Sequence, residues 1–249
     1  MDFLSDEASR EVRERRFDLK VEDRVVPGIV WTPENASGPR PLVLLGHGGS
    51  QHKRVPNILS LARRLVRHLG YAAAAIDGPM HGDRVEGGHE LTLTAVRDDL
   101  AGLSDEERRT LFRNMRADWS ATIDALRELD EIGEGPTGYW GLSMGTVIGL
   151  PFVASEPRID AAVLGLMGVE PGAKPRSATT LEIPVLFIVQ WHDELVARER
   201  ALALFDAIAS KNKRMHVNPG AHSAVPAEEI QASEDFFEKY LGAKVPAKA

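Results

Sequence analysis

The sequence predicts an α/β fold: a mainly parallel, doubly wound sheet with helices on both faces. Three observations carry this. Short, continuous apolar runs alternate along the chain with longer stretches at helical spacing, the pattern of repeated strand–helix units. Several runs are apolar throughout, as in strands buried on both faces. The chain has 249 residues, 43% of them hydrophobic, enough to build one large core, and a single domain over 1–249 is expected.

The elements follow in order. Phe17–Val21 alternates apolar and polar residues, and Val25–Trp31 follows after a charged turn; the two read as an antiparallel entry hairpin. Pro41–Leu45 is an apolar run ending at Gly46. Ile58, Leu61, Leu65 and Leu69 recur at helical spacing and stop at Gly70, a residue that closes helices well. Tyr71–Ile76 is the next buried strand, ending at Asp77-Gly78-Pro79. Asp118–Leu129 is helical, with Trp119, Ile123 and Leu126 on one face. Strands are expected at Ala161–Leu166, Val185–Val189 and Met215–Val217, and helices at Ala197–Ala209 and Ala227–Leu241. The connection Arg84–Phe112 is oversized for a compact domain. Its apolar residues, Leu91, Leu93, Val96, Leu100, Leu103, Leu111 and Phe112, lie among many charges, which predicts one or two short amphipathic helices acting as a lid or binding insertion over 84–112.

Composition bounds the function. A net charge of −7 argues against nucleic acid or an anionic membrane as the main partner. There is no cysteine, so no disulfide, thiolate metal site or cysteine nucleophile. The first residues are acidic and lack a basic segment followed by an apolar one, so no signal peptide is expected. No apolar run approaches the roughly 20 residues of a membrane span, and a cytoplasmic location is expected. No G-x-G-x-x-G or G-K-[ST] pattern is present, so no nucleotide cofactor is expected.

The chemistry centres on Tyr139-Trp140-Gly141-Leu142-Ser143-Met144-Gly145-Thr146. G-x-S-x-G alone also fits a glycine-rich turn with a bystander serine. Here a short apolar run leads in and a small-residue, apolar run leads out, which reads as strand, sharp turn, helix. Such a turn raises the serine Oγ above the sheet and points the helix amides at whatever the serine attacks. The reading requires an oxyanion donor loop upstream, then an acid and a histidine downstream, in that order. Gly46-His47-Gly48-Gly49-Ser50 meets the first requirement, with backbone N–H groups left bare by glycines. Gly49 and Met144 are the expected donors and Gly48 the alternate; His47 is expected to hold the loop. Asp193 is the expected acid, just past a buried strand, with Glu194 its competitor. His222, in a loop before the last helix, is the expected base, whereas His216 falls inside a strand. A serine hydroxyl is a poor nucleophile until imidazole takes its proton and a carboxylate fixes the imidazole tautomer.

These motifs resemble the α/β-hydrolase superfamily, most closely its dienelactone-hydrolase-like, small serine esterase branch. The resemblance spans about Arg13 to Leu241. Dienelactone hydrolases proper carry cysteine in the elbow, whereas this chain has Ser143. Serine also separates it from the dehalogenase and epoxide-hydrolase branches, whose nucleophile is aspartate. The resemblance implies a metal-independent serine hydrolase of small carboxylic esters or lactones acting through an acyl-enzyme. A peptidase or thioesterase would use the same triad, and a non-catalytic ligand-binding protein of the fold is the alternative of another class. His81, Trp191 and His192, with Gly48, are expected to line the substrate pocket. Asp77, His81 and Asp83 also raise the possibility of a metal, against which short loops of these residues are common turn chemistry; no metal is expected.

Overall fold

The structure is a computed structural model that describes residues 1–85 and 102–242. Among these residues nine strands form one mixed sheet in the order β1-β2-β3-β5-β4-β6-β7-β8-β9. They are β1 (Asp2–Ser9), β2 (Val12–Val21), β3 (Arg24–Pro33), β4 (Leu42–Gly46), β5 (Ala72–Ile76), β6 (Thr137–Leu142), β7 (Ile159–Gly165), β8 (Val185–Gln190) and β9 (Lys213–Asn218). β1, β2, β3 and β5 pair antiparallel in that order. From β5 through β4 to β9 every pairing is parallel. The chain leaves β4 for β5 on one side and later returns to β6 on the other. The carboxyl ends of β4 and β6 therefore flank the point where the winding reverses, the place where such sheets bind ligands.

The helices are α1 (Pro56–Leu69), α2 (Asp105–Arg127), α3 (Met144–Val153), α4 (Arg176–Thr179), α5 (Arg198–Ala207) and α6 (Glu228–Leu241). β4, β5, β6 and β8 are buried along their whole length, as their unbroken apolar runs require. One core packs α1 and α6 against one face through Ile58, Leu61, Leu65, Phe236 and Phe237; the other packs α2, α3 and α5 against the opposite face through Trp119, Ile123, Phe152 and Leu204. α1 ends as expected: Gly70 is left-handed at φ +68° and its N–H donates to the Val66 carbonyl at 3.1 Å.

Three readings change. β1 was unexpected, because its sequence DFLSDEAS carries no alternation and is exposed almost throughout; it is held by backbone pairing, by the Arg13–Asp6 ion pair and by Arg15 over the Phe3 ring. The expected hairpin is present as β2–β3, and β1 extends it to three antiparallel strands. α2 begins at Asp105 rather than Asp118. Ser104 accepts from the Glu107 N–H and Glu107 accepts from the Ser104 N–H, a capping box that starts the helix. Residues 105–112 are therefore the opening turns of one long helix, not a separate short one. The rest of the expected lid, 86–101, lies outside the described residues. Buried Asp118 anchors α2, paired with Arg24 at 3.2 Å and Arg84 at 2.8 Å.

Candidate active site

Ser143 joins β6 to α3 in a strained conformation, φ +56° and ψ −119°. A non-glycine residue holds such geometry only where its surroundings over-determine it. Here they do. The Ser143 N–H donates to the Gly165 carbonyl at 3.0 Å. The Thr146 hydroxyl lies 2.7 Å from the carbonyls of Gly141 and Gly165 and accepts the Gly165 N–H at 2.8 Å. The two motif glycines let backbones meet: a Cβ on Gly141 would stand 2.7 Å from the Gly145 carbonyl oxygen, and one on Gly145 would stand 2.5 Å from that of Gly46. The elbow is thereby packed directly onto the end of β4.

The His222 ring lies between Ser143 and Asp193. Its Nε2 is 2.8 Å from Ser143 Oγ and its Nδ1 is 2.7 Å from Asp193 Oδ2. The other Asp193 oxygen accepts the N–H groups of Leu195 and Val196, both at 2.8 Å, which leaves Oδ2 for the imidazole. The carboxylate side chain is 3% exposed. Glu194 does something else: its carboxylate accepts the His222 backbone N–H at 2.9 Å, a contact that lowers its pKa. The two acids thus divide the histidine, Asp193 taking the ring and Glu194 the main chain. Gln190, buried at the end of β8, donates to the Ala221 carbonyl at 3.0 Å. The Trp191 and His192 N–H groups donate to Asn218 and Gly220. These bonds hold the His222 loop beside the acid.

On the other flank, Gly48–Lys53 follows β4. The Gly48 N–H donates to Gln51 Oε1 at 3.0 Å, so Gly48 is spent within the loop and is not a free donor. The N–H groups of Gly49 and Met144 have no acceptor among the described residues. His47 is buried; its Nε2 accepts the Gly78 N–H at 2.9 Å, and Nδ1 stands 2.8 Å from the Gly48 carbonyl. Because Gly78 can only donate, the proton sits on Nδ1. Burial pushes the His47 pKa down to about 4.

The expected pocket residues fare differently. His81 has both ring nitrogens committed inside the protein, Nδ1 to the Pro79 carbonyl at 2.7 Å and Nε2 to the Ser50 N–H at 3.2 Å, which leaves neither for a ligand. Trp191 is 41% exposed with Arg198 stacked 4.0 Å over its ring, and His192 is exposed. The carboxylates of Asp77 and Asp83 both receive the Lys53 ammonium. Lys53 thus supplies the positive charge that these carboxylates require in place of a metal.

No protein-family model and no curated protein matches the chain. Solved structures do. A cold-adapted esterase from an Arctic intertidal metagenomic library is 41% identical, over 97% of this chain and 100% of that one, at a TM-score of 0.80. The chain belongs to the same family, an esterase of the α/β-hydrolase fold. At the level of the fold, this α/β-hydrolase is also similar to a putative dienelactone hydrolase from Klebsiella pneumoniae (18% identity, 94% of this chain, 99% of that one, TM-score 0.72). It is similar too to acetyl xylan esterase 1 from Thermoanaerobacterium sp. (18%, 94% and 86%, TM-score 0.71). Among the described residues, no helix of the hydrolase is long and apolar enough to cross a membrane.

Sequence reasoning missed Gln51, Lys53, Gln190 and the division of labour at Glu194. None of these residues stands in a motif. Gln51 caps its own loop, and the others act through contacts to a backbone or a carboxylate distant in the chain, which no spacing signals.

Proposed function

We propose that this chain is a serine hydrolase of small carboxylic esters or lactones that works through an acyl-enzyme. The observation that carries the reading is the hydrogen-bonded row Asp193–His222–Ser143 at 2.7 and 2.8 Å. Ser143 Oγ attacks the carbonyl carbon while its proton passes to His222 Nε2. Asp193 holds the Nδ1 proton and stabilises the imidazolium that forms. The carbonyl oxygen becomes an oxyanion facing the Gly49 and Met144 N–H groups, with the N-terminus of α3 behind Met144. Fixed donors of this kind act where the charge develops. As the intermediate collapses, His222 returns the proton to the leaving alkoxide and the alcohol departs. Water, deprotonated by the same imidazole, then releases the acid.

The 41% identity to an esterase over nearly the whole chain supports ester hydrolysis over the peptidase and thioesterase alternatives. The test is a panel of esters, lactones, thioesters and aminoacyl amides, run with a serine-directed fluorophosphonate. The expected result is turnover of short esters or lactones, with the label on Ser143 and both lost in Ser143→Ala. Cleavage of only amides or only thioesters moves the reading to those classes. A label on another serine overturns the nucleophile.

A further inference from the structure

The loop after β5 makes a series of contacts with the donor loop that the triad does not explain. The His47 Nε2 accepts the Gly78 N–H at 2.9 Å. The Lys53 N–H donates to Asp77 Oδ1 at 2.9 Å, and its ammonium joins Asp77 to Asp83. Between these ties lies His81. It is buried, its Nδ1 donates to the Pro79 carbonyl, and its Nε2 accepts the Ser50 N–H. The Ser50 N–H can only donate, so Nε2 must be bare and the ring neutral.

The backbone on both sides of this bond is strained. Ser50 has φ +60° and Met80, next to His81, has φ +63°. Both are non-glycine residues in the left-handed region, a conformation that persists only where the surroundings hold it. Paired strain facing one hydrogen bond marks a place where geometry is being fixed. The quantity fixed is the direction of the Gly49 N–H. Peptide units are planar, so the Gly49 N–H points with the Gly48 peptide unit, and the Ser50 peptide unit, joined to it through the φ and ψ of Gly49, limits how far that unit can rotate. The preceding unit is held by His47 at the Gly48 carbonyl, and the following one by His81 at the Ser50 N–H.

We propose that His81 is a positioning residue of the oxyanion site, acting as a neutral hydrogen-bond acceptor that fixes the Ser50 peptide and through it the Gly49 N–H. The inference rests on the reading of Gly49 as an oxyanion donor. The groups facing the His81 ring are His47, with ring centroids 5.2 Å apart, Asp77 with its Lys53 partner, and the Ser50 and Pro79 main chain. Burial lowers the His81 pKa, which keeps the ring neutral and accepting.

The test compares His81→Leu, which cannot accept, with His81→Gln, whose amide oxygen reaches the Nε2 position. Losing one oxyanion donor outright costs about 10²–10³ in kcat. The leucine variant, which only misaims the donor, should lose about 10- to 100-fold in kcat on a short ester, with KM changed by less than about threefold. The glutamine variant should recover most of that loss. Amide hydrogen exchange at Ser50, followed by NMR on folded protein, should accelerate in the leucine variant and stay slow in the glutamine one. Unchanged kcat in the leucine variant, or equal losses in both variants, overturns the proposal. A wild type that turns over no ester defeats the ester-hydrolase reading instead. The exchange measurement still decides whether His81 holds the loop, since unchanged Ser50 exchange in the leucine variant refutes that role without any substrate.

Discussion

The two flanks of Ser143 are built in different ways. On the donor flank, the buried side chains of His47, Lys53, Asp77 and His81 tie the loop after β4 to the loop after β5. On the base flank, the turn after β8 and the loop after β9 run along the surface, held by Gln190, by a few main-chain bonds and by the carboxylates of Asp193 and Glu194. Oxyanion donors, the role proposed for this flank, must be aimed before the charge forms, because a donor that swings into place during the reaction has already lost its advantage. The proposed base, His222, would change charge twice per turnover, and it is held at its ring by Asp193 and at its main chain by Glu194. The difference predicts that damage to the base flank appears as lost rate in a stable protein, whereas damage to the donor flank, with its buried ties, costs stability as well as rate.

The strongest way to break that contrast is at the acid. Asp193→Asn keeps an oxygen for the Leu195 and Val196 amides but presents the wrong partner to His222 Nδ1. The expected loss is about 10⁴ in kcat, with a melting temperature close to wild type. Glu194→Gln keeps an acceptor for the His222 N–H and should cost no more than about tenfold. Equal losses at the two positions, read by initial rates, would show that the carboxylates share the role.

On the donor flank, Lys53→Met leaves Asp77 buried beside only backbone donors. Removing one partner of a buried ion pair costs about 3–5 kcal/mol. Thermal or urea unfolding should show that loss. A stable Lys53→Met protein would mean that the clamp contributes little.

The third prediction concerns acid. His47 binds its proton only near pH 4 in the folded protein, against about 6.5 when unfolded. Between these values the unfolded chain holds the extra proton, so stability rises with pH across the window and falls as pH drops from about 6.5 toward 4. His47→Gln should remove that part of the pH dependence of the melting temperature. Equal slopes for the two proteins would place the acid sensitivity elsewhere.

The smallest effect expected is on chain length. A cleft of about 480 Å³ lies next to the donor flank, with Pro79, Met80, Leu103 and Leu111 lining it between the charged side chains of Arg24, Arg84, Glu106 and Glu107. We expect kcat/KM for p-nitrophenyl esters to peak at about two to four acyl carbons and to fall by about eight, since each CH₂ adds about 0.8 kcal/mol only while there is room. A preference for long acyl chains would remove the cleft from the site.

Much of this was legible in the sequence, for a physical reason. The strands of the sheet centre are apolar throughout, and Ser143, Asp193 and His222 all fall at strand ends, where a doubly wound sheet gathers its chemistry. β1 was illegible because backbone pairing, not an apolar face, holds it. The start of α2 was signalled by Ser104 and Glu107 but hidden by the charges around them. His81 read as a pocket residue because its type suits a pocket. Only the distance to Ser50 shows that its ring is turned inward.

Tyr139 sits beneath the elbow, its hydroxyl donating to the Gly145 carbonyl at 2.8 Å. A methyl group on Gly46 or Gly149 would come within 2.2 Å of its ring or hydroxyl, and one on Gly141 within 2.8 Å of its ring. One aromatic residue therefore decides what Gly46 and Gly149 accept, while Gly141 is closed by the Gly145 main chain as well. In evolutionary terms, a lineage that keeps this tyrosine has those two glycines frozen. Any lineage that fills them must first have traded the ring for something smaller, so the three positions change in a set order.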